Sequence, residues 1–376
     1  MSKSPIVHRD MAGVIARSLK KFPIVSITGP RQSGKTTLAH LAAAGYRYLN
    51  MEIDEHKYFA VKDPGGFLKE YDYKVILDEV QAVPSLFPYL QQHTDRQNKN
   101  GAYILSGSQN FLLMEKISQT LAGRVAVFSL LPFSLSEMMP HLRQSQRHWE
   151  PLCVKVFIRG FSKEKLSHPF LQFVYQNVCR KDVQQMPNIH NSRAFAQFIK
   201  MCAIRVGTPL NTQDIATAVG VDNKTIAKWI ATLEASYILF LLPPYYNNLD
   251  KRIIKKPKIY FCDTGILCHL LGITDEKQLK NHKLYGSLFE NFIILDKMKS
   301  AFNKGETPLN YFWQDSNGRE VDLLSEEGGK LIVQEIKSSS TPKPDFFKNI
   351  NLFSNLAKNA GLKPVKKLIY SGRKNV

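Results

Sequence analysis

Residues 24–36 read Ile-Val-Ser-Ile-Thr-Gly-Pro-Arg-Gln-Ser-Gly-Lys-Thr, and no other stretch restricts the fold of this chain so tightly. Ile24 to Thr28 is a short β-branched run of the kind that forms a strand buried on both faces. It leads directly into Gly29-Pro30-Arg31-Gln32-Ser33-Gly34-Lys35-Thr36, a G-x-x-x-x-G-K-T loop, and a helix is predicted from about Lys35 to Ala44. The glycines let the backbone wrap closely around phosphates, successive N–H groups point inward, and the helix N-terminus adds its positive end. Strand, loop and helix in this order belong to an α/β protein with a parallel sheet. On this reading Gly29 through Thr36, continued by Thr37, bind ATP. Lys35 reaches the β- and γ-phosphates, and Thr36 ligates magnesium through its hydroxyl.

A loop of this type needs a second strand carrying an acid for the magnesium side. Lys74-Val75-Ile76-Leu77-Asp78-Glu79 supplies an apolar run ending in two carboxylates. Asp78 is placed on the metal, usually through water, and Glu79 on the attacking water. The next strand candidate, Ala102-Tyr103-Ile104-Leu105, ends in a small polar cluster from Ser106 to Asn110. There Ser108, with Gln109 second, either senses the γ-phosphate or caps a helix. Beyond it stands Leu121-Ala122-Gly123-Arg124. Arg124 is either a finger that neutralises transition-state charge, in trans between subunits, or a salt-bridged surface arginine.

Taken together, Gly-Pro-Arg-Gln-Ser-Gly-Lys-Thr-Thr, Leu-Asp-Glu-Val-Gln, Leu-Ser-Gly-Ser-Gln and Leu-Ala-Gly-Arg-Val resemble a family of bacterial and archaeal AAA+-like ATPases of the archaeal-ATPase group. The resemblance runs on through Asn248 to Lys258, Ile259-Tyr260-Phe261-Cys262-Asp263-Thr264-Gly265 and Gly286-Ser287-Leu288-Phe289-Glu290-Asn291. It departs at Arg159-Gly160-Phe161-Ser162, where such proteins usually carry Gly-Gly-Tyr-Pro. The resemblance implies an ATPase, a homo-oligomer in the form of a ring, and a characteristic C-terminal region, without fixing a substrate.

At 376 residues the chain is long enough for two or three domains. Its formal net charge of +19 creates a field that attracts polyanions, which makes nucleic acid the first partner to consider. Five cysteines, Cys153, Cys179, Cys202, Cys262 and Cys268, show no zinc-ligand or redox spacing and fit a reducing compartment. Met1 to Asp10 has no apolar signal-like core, and the longest apolar stretch, around Ala235 to Leu242, is stopped by Pro243 and Pro244. A cytoplasmic protein without a membrane partner is expected.

Met139 to Pro151 is polar and reads as a linker. Asn211 to Asp214 caps a short helix through Val219, Gly220-Val221-Asp222 turns the chain, and Asn223 to Leu233 forms a second helix. With an apolar hairpin candidate from Tyr237 onward, this is a helix-turn-helix of winged-helix type. If it reads DNA, Lys224, Thr225 and Lys228 make the contacts; such modules also serve only for packing. Lys251, Arg252, Lys255, Lys256 and Lys258 form the densest basic run, open to phosphate or lying on a solvated strand edge.

In the last third, Gly286 to Ser300 reads as a helix bearing Glu290, followed by strands at Leu309 to Trp313, Glu320 to Leu324 and Lys330 to Lys337, and a helix near Asp345 to Lys358. By the two-residue period Glu335 and Lys337 project together from the third strand, with Asp322 on the second. Glu290, Asp322 and Glu335 are placed on one or two magnesium ions, and Lys337 beside the attacking water. This order resembles the restriction-endonuclease-like fold with its Asp and Glu-x-Lys signature, kept either for cutting or as a binding module.

The expectation is therefore α/β in three parts: an AAA+-like P-loop NTPase domain with a parallel sheet over 1–140, a helical and winged-helix module over 151–250, and a nuclease-like α/β domain over 251–376. Its cofactors are ATP and Mg2+. It describes an ATP-hydrolysing machine or switch associated with DNA. The rivals are a protein-interaction switch with a C-terminal docking module, and a DNA nuclease gated by ATP.

Overall fold

The computed structural model describes residues 7–107, 120–141, 192–245 and 255–371. Ser108, Gln109, Lys251, Arg252 and the turn at Arg159 lie outside the described residues. The chain divides into two compact units, the first drawn from Met1–His141, Ala235–Tyr237 and Lys299–Thr307, the second from Leu142–Glu234, Ile238–Met298 and Pro308–Val376.

The first unit opens with α1 (Met11–Ser18), β1 (Ile24–Thr28), α2 (Lys35–Ala42), β2 (Arg47–Asn50), α3 (Asp54–Lys62) and α4 (Pro64–Glu70). Then come β3 (Val75–Asp78), α5 (Phe87–Gln97), β4 (Tyr103–Gly107), β5 (Val125–Ser129) and α6 (Leu135–Met138). Its five strands lie in the order β2-β3-β4-β1-β5, and every pairing is parallel. The strand period of two divides the core. Ile24, Val75, Leu77, Tyr103 and Leu105 face Phe67, Phe87 and Leu90 on one side, whereas Val25, Ile27, Ile76 and Ile104 face Met11, Ile15 and Leu38 on the other. A sheet covered on both faces explains the continuous apolar runs that the sequence shows. α2 stops at Ala42, short of the expected Ala44, because Ala43 leaves the helical region and Gly45 turns the chain at φ 85°.

The second unit contains α7 (Ser192–Ile204), α8 (Thr212–Val219) and α9 (Asn223–Ala235), then β6 (Leu239–Leu242) paired antiparallel with β7 (Lys258–Phe261). α8 ends on Gly220 at φ 77°, a left-handed cap that favours glycine. Asn211 occupies the position before α8 but makes no side-chain cap bond, against expectation. The cap that forms belongs to the next helix: Asp222 accepts from the amide of Thr225 at 2.9 Å and from its hydroxyl at 2.6 Å.

After α10 (Thr264–Leu270), α11 (Glu276–Asn281) and α12 (Tyr285–Asn303), a four-stranded sheet follows: β8 (Asn310–Gln314), β9 (Glu320–Glu327), β10 (Lys330–Lys337) and β11 (Pro364–Tyr370). It has the order β11-β10-β9-β8, with β10 and β11 parallel and the other pairs antiparallel. α13 (Lys348–Asn359) lays Ile350, Phe353 and Ala357 against Trp313, Val321, Leu331 and Val333. β9 runs three residues past the expected Leu324 because the turn at Gly328-Gly329 is tight enough to pair Glu327 with Lys330. Among the described residues no helix is long and apolar enough to cross a membrane.

Candidate nucleotide site and acidic cluster

The sheet order brings the site together. β1 delivers the loop from Gly29 to Thr36 at the carboxyl edge, and β3 ends at Asp78 on the far side of β4. The loop is wound through positive φ at Gly29 (151°), Gln32 (63°) and Gly34 (89°). A side chain at Gly29 would put its Cβ 2.1 Å from the carbonyl oxygen of Leu130, so only glycine fits the approach of the loop to the segment after β5. Lys35 is buried, its ammonium donating to the carbonyls of Gly29 at 3.1 Å and Pro30 at 2.9 Å. Arg31, Gln32 and Thr37 are exposed at the loop and the start of α2.

Asp78 is the hub. Its Oδ2 accepts from the hydroxyl of Thr36 at 2.7 Å and from that of Tyr48 at 2.9 Å, while Oδ1 accepts from Ser106 and from the amide of Glu79 at 3.2 Å. Thr36 and Asp78, the two residues expected on the magnesium, thus stand together as hard oxygen donors, which fits that ion. Glu79 follows at φ 51°, and its Oε2 accepts from Gln81 at 2.5 Å. Tyr48 escaped the sequence reading, and Ser106 belongs to the polar cluster expected at this edge, where Ser108 and Gln109 are the first choices. The signal for Tyr48 was available in principle, since it sits near a strand end on the same sheet edge as the loop. Burial and the neighbouring Asp78 carboxylate raise the Tyr48 phenol above its ordinary value, so it stays a donor.

Arg124 lies on the exposed surface, where it forms a bidentate pair with Asp95 at 2.5 and 2.9 Å. Lys224 and Lys228 are exposed on α9, whereas Thr225 spends its hydroxyl on Asp222. Lys255 and Lys256 are exposed as well. Lys258, the last residue of the basic run, departs from both expectations for it: it is 1% exposed and faces neither solvent nor an open edge.

Its ammonium instead enters a cluster of acids in the second unit, 3.2 Å from Glu290 and 2.5 Å from Glu320, over the ring of Phe312. Tyr260, two residues along β7, donates to the same Glu290 oxygen at 2.5 Å. Carboxylate oxygens of Glu290, Glu320 and Asp322 lie within 4.8 Å of one another. Asp322 accepts from the amide of Ile336 at 2.7 Å, and Lys337 joins it to Glu335, at 3.4 Å and 2.7 Å respectively. Glu335 keeps its second oxygen buried without a hydrogen bond.

All four expected residues, Glu290, Asp322, Glu335 and Lys337, are thus brought into one network, together with Glu320, Lys258 and Tyr260, which sequence reasoning missed. Their two-residue spacings, Glu320 with Asp322 and Lys258 with Tyr260, were the signal. Burial, reinforced by the Asp322 charge and opposed by the lysines, raises Glu290 and Glu335 each to about 7. Burial works to lower the two lysines, but the surrounding carboxylates outweigh it and hold both above their ordinary value. Lys258 pairs with one oxygen each of Glu290 and Glu320, and the acids whose oxygens stand close enough to one another to hold a divalent cation are Glu290, Glu320 and Asp322.

Comparison with known proteins bears on these two sites unequally. Residues 21–139 match the model of a family described as an AAA domain. This part of the chain is similar to AAA domains, and its phosphate loop on a parallel sheet fits that likeness. Residues 157–277 and 285–376 match two further models, each described as a domain of unknown function, DUF8612 and DUF4143. Two uncharacterized proteins, from Mycobacterium bovis and Mycobacterium tuberculosis, are each 28% identical over 339 residues, 90% of this chain and 75% of theirs. Among solved structures, a Walker-type ATPase of Pyrococcus abyssi is similar over 71% of this chain and 96% of its own, at 14% identity and a TM-score of 0.48. AMPPCP-bound DnaA from Aquifex aeolicus is similar over 59% and 86%, at 15% identity and a TM-score of 0.25.

Proposed function

We propose that this chain is an ATP-hydrolysing machine or switch that acts on DNA. The observation that carries the ATPase half is the hydrogen bond from Thr36 to Asp78 beside Glu79, which unites the phosphate loop with the acids of β3. Magnesium held by Thr36 and Asp78 would supply charge neutralisation at the phosphates. Lys35 leaves the carbonyls of Gly29 and Pro30 for the β- and γ-phosphates, and Glu79 orients the attacking water. Support for the DNA half comes from the +19 charge and from α8 and α9, whose second helix offers Lys224 and Lys228 to solvent.

The deciding experiment measures ATP turnover with and without single-stranded DNA, duplex DNA and RNA at several salt concentrations. Stimulation by DNA that falls steeply with salt, and that weakens when Lys224 and Lys228 become alanine, supports the reading. Turnover indifferent to every nucleic acid, together with a stable protein partner, replaces it with the protein-interaction switch.

A second reading, a nuclease gated by ATP, rests on one observation: Lys337 bridges Asp322 and Glu335, the arrangement in which a lysine stands beside a metal-binding pair of acids. In that reading Asp322 and Glu335 hold the cation, and Lys337 stabilises charge at the scissile phosphate.

A further inference from the structure

Arg9 precedes every motif that the sequence reading used, yet it is 2% exposed and all three ends of its guanidinium are engaged within the ATPase unit. Nη1 donates to the carbonyl of Ser33 at 3.2 Å, inside the phosphate loop. Nη2 donates to the carbonyl of Leu131 at 2.8 Å, next to the Leu130 carbonyl against which Gly29 is packed. Nε pairs with Glu137 at 3.0 Å, and the plane stacks over Phe133 at 4.5 Å.

Glu137 is itself fixed. It accepts from the amides of Asp10 at 3.0 Å and Ser134 at 2.9 Å in a capping box, and Asn303 donates to the Ser134 hydroxyl at 3.2 Å. One rigid fork therefore holds two backbone segments at once, and a carboxylate that cannot turn away holds the fork.

The consequence for the loop follows from the planarity of the peptide. In a trans peptide the C=O and the following N–H point in opposite directions. Arg9 draws the Ser33 carbonyl to the outside, so the Gly34 amide is directed to the opposite side, where the nest of loop N–H groups takes a phosphate. Gly34, at φ 89°, is the residue whose backbone is freest to swing otherwise.

We propose that Arg9, braced by Glu137, is a positioning residue for the nucleotide: it sets the Ser33–Gly34 peptide so that the loop meets the phosphates already ordered. This rests on the ATPase reading above. Without the brace the loop must order on binding, and that cost falls on affinity for phosphates while Lys35, Asp78 and Glu79 are left intact.

The test uses the full chain and titrates ADP calorimetrically in the presence of magnesium, alongside steady-state ATP turnover. Arg9→Met is expected to raise the Kd for ADP about tenfold or more, and to raise KM more than it lowers kcat. Arg9→Lys, which keeps a cation by Glu137 but cannot reach both carbonyls, is expected to fall between wild type and Arg9→Met; Glu137→Gln raises Kd in the same direction. A lower melting temperature with an unchanged Kd in folded Arg9→Met and Arg9→Lys overturns the inference, since the arginine would then only hold the fold. Should Arg9→Met not fold, Arg9→Lys and Glu137→Gln decide by the same criterion. Wild-type protein that binds neither ADP nor ATP overturns the ATPase reading and this one together, whereas unaltered Kd values in variants of a binding wild type overturn this one alone.

Discussion

The hydroxyl of Thr36, in the first turn of α2, donates to the carboxylate of Asp78 at the end of β3 across 2.7 Å. β4 lies between β1 and β3, and its Ser106 donates to the same carboxylate, so the start of α2 and the ends of β3 and β4 meet on one acid. That convergence separates the roles of the residues around it. In the proposed reaction Lys35 would meet the phosphates, Asp78 would organise the magnesium side, and Glu79, one residue further on, would orient the water.

Separate roles give separable phenotypes. Lys35→Ala is expected to abolish tight nucleotide binding, whereas Glu79→Gln retains binding and loses turnover by about a hundredfold or more. Calorimetric ADP titration and a phosphate-release assay read the two steps independently. Wild-type turnover in Glu79→Gln would remove that residue from the reaction.

Arg124 can be assigned by its partner. The pair with Asp95 is exposed, so salt and water screen it and the fold gains little from it. Arg124→Ala is therefore expected to leave the melting temperature unchanged, and as a finger acting between subunits to abolish turnover with nucleotide affinity intact. Co-assembly of Arg124→Ala with Glu79→Gln subunits, each inactive alone, restores activity if the finger acts in trans. Turnover lost equally in Asp95→Ala would point to the ion pair, not to a finger.

The degree to which these sites were legible in the sequence follows from how local their causes are. The phosphate loop is one contiguous segment whose chemistry, two glycines and a lysine between a strand and a helix, is written in consecutive residues. The hydrogen bond from Tyr48 to Asp78 is not, because it depends on β2 pairing beside β3. Lys258 shows the same limit more sharply. Five basic residues within eight positions suggested solvent or phosphate, but the strand period turns Lys258 inward with Tyr260, toward acids more than thirty residues away. Asn211 and Asp222 differ for a local reason: both are good caps, and only the backbone geometry decides which side chain reaches an amide.

The acidic cluster has a pH signature. Glu290 and Glu335 titrate near 7 in the folded chain, above the ordinary glutamate value of 4.5, because burial beside Asp322 disfavours their charge. A carboxyl raised on folding binds its proton more tightly in the native state, so its contribution is complete below about pH 4.5 and is lost as pH rises through about 7. The melting temperature of the second unit, followed by fluorescence of buried Trp313, is expected to fall from pH 5 to pH 8. In Glu290→Gln/Glu335→Gln the slope flattens. A wild-type melting temperature that rises over the same interval contradicts the assignment.

The same network makes the nuclease reading testable in a way that separates it from a passive acidic core. Asp322 and Glu335 are on neighbouring strands and share Lys337, so a divalent cation held by both would lower the charge cost of bringing a hydroxide to a phosphodiester. Lys258 pairs with one oxygen each of Glu290 and Glu320, and both acids lie with Asp322 within 4.8 Å. Purified protein is then expected to cut DNA only with magnesium or manganese. Asp322→Ala, Glu335→Ala and Lys337→Ala should each abolish cutting while ATP turnover persists, since Asp78 and Glu79 belong to a different sheet. Cutting that survives both acid variants would indicate another site or a contaminant. If no DNA is cut under any metal, calorimetry with manganese decides what the cluster is for: binding lost in Asp322→Ala marks a cation-dependent binding module, and no binding in wild type marks Lys258 and Lys337 as the only cations the cluster was built to hold.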